Sequence, residues 1–134
     1  MAYAHVAHDC VVGNRTVFAN GASLAGHCTV EDDAILGGFS VLRQFCRIGR
    51  HAFIGGASPL NRDVLPFVWT SSDRPTKAWK VNSVGLSRKG FSPERVAALQ
   101  KGYRALHRFR HDRTAMMEAL GKIAETSEDV KVLA

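Results

Sequence analysis

The chain has 134 residues, 46% of them hydrophobic, and a formal net charge of +6. This length and composition predict one modest globular domain, and no run of about 18 apolar residues argues for a membrane span. The first residues, MAYAHVAHDC, lack the basic and apolar regions of a secretion signal, so we expect a soluble, cytoplasmic protein.

The positive charge is concentrated in one segment. Residues 67–113 contain eleven basic and three acidic residues, whereas residues 1–66 contain five of each. Such a segment suits a polyanionic partner, for example a nucleic acid, a nucleotide diphosphate or an acidic protein. It lacks aromatic residues interleaved in a recognisable nucleic-acid-binding motif, so we expect no nucleic-acid partner.

Residues 1–66 repeat with a period of six. In each hexad one residue is large and apolar. The residue directly after this large residue is usually small, and the fourth residue after the large one is small or β-branched. The large apolar residues of the ten hexads are Val6, Val12, Phe18, Leu24, Val30, Leu36, Leu42, Ile48, Ile54 and Leu60. This pattern predicts a triangular solenoid with an 18-residue coil, large residues inside and small residues at the tight corners. A β-sandwich would instead need a period of two.

Residues 18 positions apart are expected to stack in successive coils, about 4.8 Å from one another. One such column contains His8, Gly26, Gln44 and Arg62. Its neighbour contains Asp9, His27, Phe45 and Asp63. A column on another face contains Asn20, Gly38 and Gly56. The three cysteines share a column with small residues, which predicts interior packing rather than metal or nucleophile chemistry: Cys10, Cys28 and Cys46.

The first two columns place a histidine, His8, beside a glycine, Gly26. Acyl transfer to a hydroxyl needs a base that titrates near neutrality and an accessible N–H for the developing oxyanion. An imidazole next to a residue without a side chain supplies both. The alternative is that His8 is only a surface residue.

The repeat is predicted to end over residues 61–66, where Pro66 would block further ladder bonds. Residues 67–91 are predicted to be a basic connecting loop, and residues 92–134 a C-terminal helical domain. Ser92, Pro93 and Glu94 form a helix start. Apolar stripes predict three helices, over Val96, Leu99, Tyr103 and Leu106, then Met116, Met117, Leu120 and Ile123, then Val130 to Leu133.

The hexads resemble those of the hexapeptide-repeat acyltransferases, whose fold is the left-handed parallel β-helix. The segment AHVAHDCVVGNRTVFANGASLAGHCTV, with RQFC and IGGAS after it, resembles in particular the UDP-N-acetylglucosamine O-acyltransferases of lipid A biosynthesis over residues 2–66. The resemblance implies a mostly β fold with an α tail. It also implies a homotrimeric acyltransferase that moves a 3-hydroxyacyl chain to the sugar 3-hydroxyl. Since that family has further coils before the AHDC motif, we expect this chain to be a carboxy-terminal half.

The resemblance also implies partners. The donor is an acyl chain on the phosphopantetheine of acyl carrier protein, the acceptor is UDP-N-acetylglucosamine, and no cofactor is needed. Basic residues of the first predicted helix, Arg95, Lys101 and Arg104, are expected to meet the acidic carrier protein.

Residue roles follow from the same resemblance. His8 is the general base, Asp9 its polar partner, and Gly26 the oxyanion donor. Further residues are expected to contact substrate: His5, His27, Arg43, Gln44, Asn82, Arg88 and Lys89. Arg43 stands where the family commonly has histidine. The acyl chain is expected along the column of Asn20, Gly38 and Gly56, because chain-length selection in the family lies near the glycine that matches Gly56. Alternatively, these glycines only satisfy corner geometry.

Three other functions remain open. A γ-type carbonic anhydrase uses this solenoid with a His-x4-His pair, which the solenoid histidines do not provide. His107 and His111 are four apart on a predicted helix, but arginines flank them, so we expect no metal. An amino-sugar nucleotide N-acyltransferase shares the fold and donor. A non-catalytic truncated trimer would bind the carrier or the nucleotide sugar without turnover.

Overall fold

The computed structural model describes residues 1–72 and 78–133. They form two compact units, divided between Asn82 and Ser83. The strands of the first unit are β1 His5–Val6, β2 Val11–Val12, β3 Val17–Phe18, β4 Ser23–Leu24, β5 Thr29–Val30, β6 Ile35–Leu36, β7 Val41–Leu42, β8 Arg47–Ile48, β9 Phe53–Ile54, β10 Pro59–Leu60, β11 Val68–Thr70 and β12 Ala78–Val81. The helices of the second unit are α1 Ser83–Arg88, α2 Pro93–Arg108, α3 Arg113–Ala124 and α4 Glu128–Lys131.

The first unit is the expected left-handed parallel β-solenoid, and it has about four coils. Its three sheets have the orders β1-β4-β7-β10, β2-β5-β8 and β12-β11-β9-β6-β3. Strands 18 residues apart pair in parallel, for example His5 with Ser23 and Val11 with Thr29. From β4 to β10, each two-residue strand buries its second residue, which explains why the large apolar residues recur every sixth position.

At each corner of the solenoid, one residue has the left-handed backbone conformation. From Tyr3 to Ala57 every sixth residue has a positive φ, and all but Gly21 are non-glycine, with φ between 52° and 64°. The small residues that we assigned to the corners therefore have another role. They directly follow the large residue, where the next coil approaches: a Cβ on Gly37 would lie 2.6 Å from the backbone nitrogen of Gly56.

The core is a stack of aliphatic residues between the three sheets. Leu24, Leu36 and Leu42 are 1% exposed, and Ile48 and Ile54 are fully buried. Val6 and Val12 are 48% and 39% exposed, although the repeat predicted them inside. They belong to the first coil, whose strands β1 and β2 pair, among the described residues, with β4 and β5 of the next coil alone.

The prediction that Pro66 ends the ladder is wrong. The fourth coil is two residues short: Val64 bridges Ile48, and Trp69 pairs with Phe53, so both partners are 16 residues apart rather than 18. Proline has no N–H to donate, but the next residue resumes the ladder, with the Phe67 N–H donating to the Arg50 carbonyl over 2.8 Å.

The segment 67–91 differs from the predicted connecting loop. It contains β11, which adds to the third sheet, β12, which pairs with β11 antiparallel, and the short helix α1. Val68 and Thr70 are buried on either side of the half-buried Trp69, an alternation typical of a strand, and Val81 of β12 is buried as well. Residues 73–77 of this segment lie outside the described residues, and the predicted domain boundaries stay a prediction.

The second unit is helical, and its main helices lie where the apolar stripes predicted them. The Ser92 hydroxyl accepts the Arg95 N–H at the start of α2, and the Asp112 carboxylate accepts the Ala115 N–H at the start of α3. Leu99 and Leu120 are fully buried. The short helix predicted over Val130 to Leu133 corresponds to α4, which begins two residues earlier, at Glu128. Within the described residues, no helix is both long and apolar enough to cross a membrane.

Candidate active site

Two successive coils bring His8, Asp9 and His27 together at the corner between the first and second sheets. Nδ1 of His8 lies 2.9 Å from Oδ2 of Asp9, and Nε2 of His27 lies 3.7 Å from the same oxygen. The His27 N–H donates to the His8 carbonyl over 3.0 Å, which is the ladder bond that stacks one corner on the other. The predicted neighbouring columns are therefore confirmed at this corner.

Asp9 is an ionised carboxylate with two imidazole neighbours. The hydrogen bond with His8 and, next, the charge of His27 lower the pKa of Asp9 below its ordinary value of 3.8. With its proton on Nδ1, His8 donates to Asp9 and keeps the lone pair of Nε2 free to accept a proton. This tautomer is the one that a general base requires.

Gly26 leaves the space that the His8 ring occupies. A Cβ on Gly26 would lie 2.6 Å from Cε1 and 2.7 Å from Nε2 of His8, so a side chain at this position would displace the imidazole. Among residues 1–72 and 78–133, no acceptor takes the Gly26 N–H. The arrangement therefore puts a basic nitrogen beside an available backbone donor.

Phe45 continues the column of Asp9 and His27 in the third coil, and we did not predict it as a site residue. Its ring stacks on His27 with centroids 4.9 Å apart and planes 16° apart, and His27 meets His8 edge to face at 5.1 Å. Phe45 holds the orientation of His27 through this stack. The 18-residue spacing contained the signal, because it placed Phe45 over His27.

The structure places other predicted substrate residues in or near this corner. His5 is exposed on β1, immediately before the corner. Arg43 and Gln44 are exposed in the third coil, and the Arg43 N–H is used by the ladder bond to the Leu60 carbonyl. Their side chains are open to solvent, which a role in substrate binding requires.

Asn20, Gly38 and Gly56 form a column at a different corner, between the third and first sheets. Neither Gly38 nor Gly56 has a positive φ, so left-handed backbone does not explain these glycines. A Cβ on Gly38 would meet only the Asn20 carbonyl, at 3.3 Å, and a Cβ on Gly56 only the backbone of Gly38, from 3.3 Å. The column is thus an open, side-chain-poor strip of the surface.

Asn82 lies at the remaining corner, with its N–H donating to the Phe67 carbonyl and its Nδ2 to the His51 carbonyl, 3.4 Å away. Arg88 and Lys89 are exposed at the end of α1, in the helical unit. Within the solenoid, the structure therefore does not bring Asn82 to the corner that contains His8.

The three cysteines line the interior, as the column predicted. Cys28 and Cys46 are buried, and burial raises the pKa of both thiols. The Cys28 thiol donates to the Arg43 carbonyl over 3.1 Å. A buried thiol that resists ionisation is a poor nucleophile, so Cys28 and Cys46 are packing residues.

Among residues 1–72 and 78–133, one triplet of metal-ligating side chains lies close together: His8, Asp9 and His27. His107 and His111 do not share a helix as we predicted, because α2 ends at Arg108. Nε2 of His111 instead accepts a hydrogen bond from Nε of Arg110 over 2.9 Å.

Comparison with known proteins identifies the family. Residues 63–134 match the model of domain 2 of the UDP-N-acetylglucosamine O-acyltransferases. The chain belongs to this family. A family member from Alkalilimnicola ehrlichii, named acyl-[acyl-carrier-protein]–UDP-N-acetylglucosamine O-acyltransferase, is 48% identical over all of this chain and 52% of its own length. The enzyme of that name from Thiobacillus denitrificans is 48% identical over 92% of this chain and 46% of its own.

Solved structures of the family have the same fold. The LpxA structure from Acinetobacter baumannii aligns with a TM-score of 0.87 and 34% identity over 97% of this chain and 50% of that one. UDP-N-acetylglucosamine O-acyltransferase from Moraxella catarrhalis aligns with a TM-score of 0.86 and 38% identity, with the same coverage. The chain spans about half the length of the relatives that it matches.

Proposed function

We propose that the chain carries the base and oxyanion donor of an acyl-[acyl-carrier-protein]:UDP-N-acetylglucosamine O-acyltransferase that acts in lipid A biosynthesis. The observation that carries the proposal is the His8 imidazole, held by Asp9 at Nδ1 with Nε2 directly over Gly26. The names of the curated relatives support the same reaction.

The proposed chemistry is one acyl transfer. Nε2 of His8 takes the proton of the sugar 3-hydroxyl. At the same time the oxygen of this hydroxyl attacks the thioester carbonyl carbon of the 3-hydroxyacyl donor. The carbonyl oxygen becomes an oxyanion, which the Gly26 N–H stabilises. Collapse of this intermediate breaks the C–S bond, and the thiolate of the carrier's phosphopantetheine takes the proton from His8. Asp9 stabilises the imidazolium between these steps, and no cofactor takes part.

The acceptor site would draw on exposed polar side chains around this corner. We propose that His5, His27, Arg43 and Gln44 contact the sugar and diphosphate, and that Asn82, Arg88 and Lys89 contact uridine and phosphate. The acyl chain would run along the strip of Asn20, Gly38 and Gly56.

A homotrimer is part of the proposal. Asn82, His8 and Gly38 occupy three different corners of one solenoid, separated by sides of six residues that span up to about 20 Å. The residues proposed for one site therefore lie on three separate edges of the same chain. Three-fold packing would place one chain's corner against a different corner of its neighbour, which would complete the site between subunits.

The acidic carrier protein would be bound through α2, in the cytoplasm where the donor is made. Arg95 is unsuited to this role, because its guanidinium forms two 2.8 Å hydrogen bonds with Asp129 and lies over the Phe91 ring. Lys101 and Arg104 are exposed on the same helix and remain the proposed contacts. Binding through such exposed charges should weaken as salt rises.

The function is tested by thioester consumption with UDP-N-acetylglucosamine and with its 3-amino analogue. We expect turnover with the hydroxyl acceptor, and a loss of about 10²–10⁴-fold in kcat in His8→Ala. His111→Ala, at an exposed position after the end of α2, is the matched control and should keep the native rate. Turnover with the amino acceptor alone would identify an N-acyltransferase. Binding of both substrates without turnover would contradict the proposed enzyme.

A further inference from the structure

His8, Asp9 and His27 also have the composition and spacing of a transition-metal site. Each offers one ligand atom, and the three atoms lie within 4.8 Å of one another. The ligand set is two imidazole nitrogens and one carboxylate oxygen. This combination suits Zn²⁺ and related divalent ions, which prefer nitrogen with one hard oxygen.

Two of the three ligand–ligand distances lie near those around a tetrahedral ion. Zn–N and Zn–O bonds of about 2.0–2.2 Å separate two ligand atoms by about 3.3–3.5 Å. The two measured separations are 2.9 Å, from His8 Nδ1 to Asp9 Oδ2, and 3.7 Å, from His27 Nε2 to the same oxygen. The third separation, between the nitrogens of His8 and His27, is within 4.8 Å, so the two rings would have to move closer for one ion to bridge all three atoms.

Two of the three ligands are held in place before an ion arrives. Asp9 and His27 sit at consecutive left-handed corners with the same φ of 58°, and a ladder bond joins the two corners. The His27 ring is oriented by its stack on Phe45. The His8, Asp9 and His27 side chains are 72%, 65% and 45% exposed, so an ion can enter and water can complete its coordination.

We propose that this triplet is an inhibitory binding site for divalent transition-metal ions. An ion on Nδ1 of His8 displaces the proton shared with Asp9. The neutral imidazole then carries its one proton on Nε2, which has no lone pair left to accept a proton from a hydroxyl. Metal binding follows from the geometry alone, whereas the inhibition rests on the proposed function. The ion competes with catalysis and is not a resident cofactor.

Binding is tested first, without any activity assay. Co²⁺ is titrated into the metal-free chain and followed by its visible absorption, and Zn²⁺ is titrated by calorimetry. We expect one equivalent to bind, and affinity to fall by at least about 10–100-fold in His27→Ala and in Asp9→Asn, since losing even an outer partner of a ligand costs that much. The matched control is His107→Gln with His111→Gln, which should bind as tightly as the native chain. Unchanged affinity in His27→Ala and Asp9→Asn, or loss of binding in the control, overturns the site.

Inhibition is tested on the acyl transfer itself. Zn²⁺ should inhibit the native protein, and chelator should restore the rate. In His27→Ala, the Zn²⁺ concentration for half-inhibition, relative to that variant's own metal-free rate, should rise at least about tenfold. Equal sensitivity in the two proteins contradicts the inhibitory role. A native protein without any transferase activity contradicts the proposed function instead, and the Co²⁺ spectrum still decides the metal site.

Discussion

Part of the candidate site is formed by side chains of corner residues whose backbone has the left-handed conformation, with a positive φ. Asp9, His27 and Phe45 each have a φ near 60°, a conformation that costs an L-residue about 1–2 kcal/mol. Aspartate and histidine tolerate it better than most non-glycine residues. Since the corners stack coil on coil, side chains at these positions are brought within contact distance of one another.

Gly26 is predicted to be essential for the position of His8. In Gly26→Ala the new methyl would overlap the imidazole, which is exposed and can swing aside without unfolding the coil. We expect kcat to fall by about 10²-fold, a cost typical of a group displaced by about 1 Å, with little change in Tm. Gly121→Ala, in α3 where nothing lies within 4 Å, is the control. A native kcat in Gly26→Ala would contradict this role.

Gly56 is predicted to leave room for the distal end of the acyl chain. Gly56→Met should shift preference toward donors shorter by several methylenes, each worth about 0.8 kcal/mol of burial. The measurement is kcat/KM over a series of donor lengths for both proteins. A uniform loss for all donors would show that the substitution damages the fold rather than a groove.

At the scale of the coil, stacking depends on small residues that directly follow the buried aliphatic ones. Beside Gly37, Gly49 and Gly55, the nearest atoms to an added Cβ are at 2.5–2.9 Å and belong to the backbone of the next coil. Backbone cannot rotate away as a side chain can. The hexad therefore selects a small residue at this position for close approach of coils, and not for the corner turn.

Gly37→Ala is predicted to destabilise the solenoid by about 1–3 kcal/mol, the usual cost of overpacking. Chemical denaturation followed by tryptophan fluorescence measures this, because both tryptophans lie in the first unit. The helical Gly121→Ala should instead be neutral or stabilise the second unit by about 0.4–1 kcal/mol. Equal stability of Gly37→Ala and the native chain would refute the close-approach explanation.

The helical unit is predicted to lose stability at alkaline pH because of Tyr103. Burial raises the pKa of this phenol above its ordinary value of 10.0. Above pH 10 the unfolded chain releases the proton while the folded chain retains it, so stability falls by up to about 1.4 kcal/mol per pH unit. Denaturation followed by far-ultraviolet circular dichroism should show this loss in the native chain. Tyr103→Phe should lose the tyrosine-dependent part of the slope, and an identical slope in both proteins would contradict the assignment.

At the scale of the whole molecule, the distribution of site residues over three corners argues for an oligomer. Sedimentation equilibrium should give three times the chain mass of 14.6 kDa at micromolar concentration. Strands of two residues and four coils bury a small core, and association covers flat faces that a monomer leaves in water. A monomer as the only species would contradict the trimer and, with it, the shared site.

The sequence by itself determined the solenoid, most of its interior residues and the columns at the corner of the candidate site. Each of these follows from a period of six, which local side-chain size encodes directly. The same columns placed Phe45 over His27, although its stacking was recognised only in three dimensions.

Only the tertiary structure decided the features that break the period. The two-residue shortening of the fourth coil, the return of β11 to the third sheet after Pro66, and the contact of Asn82 with a different corner from His8 all depend on long-range backbone pairing. The ion pair between Arg95 and Asp129 joins residues that are 34 positions apart in the sequence. A repeat specifies what recurs along the chain, whereas these contacts occur once and depend on where the backbone returns in space.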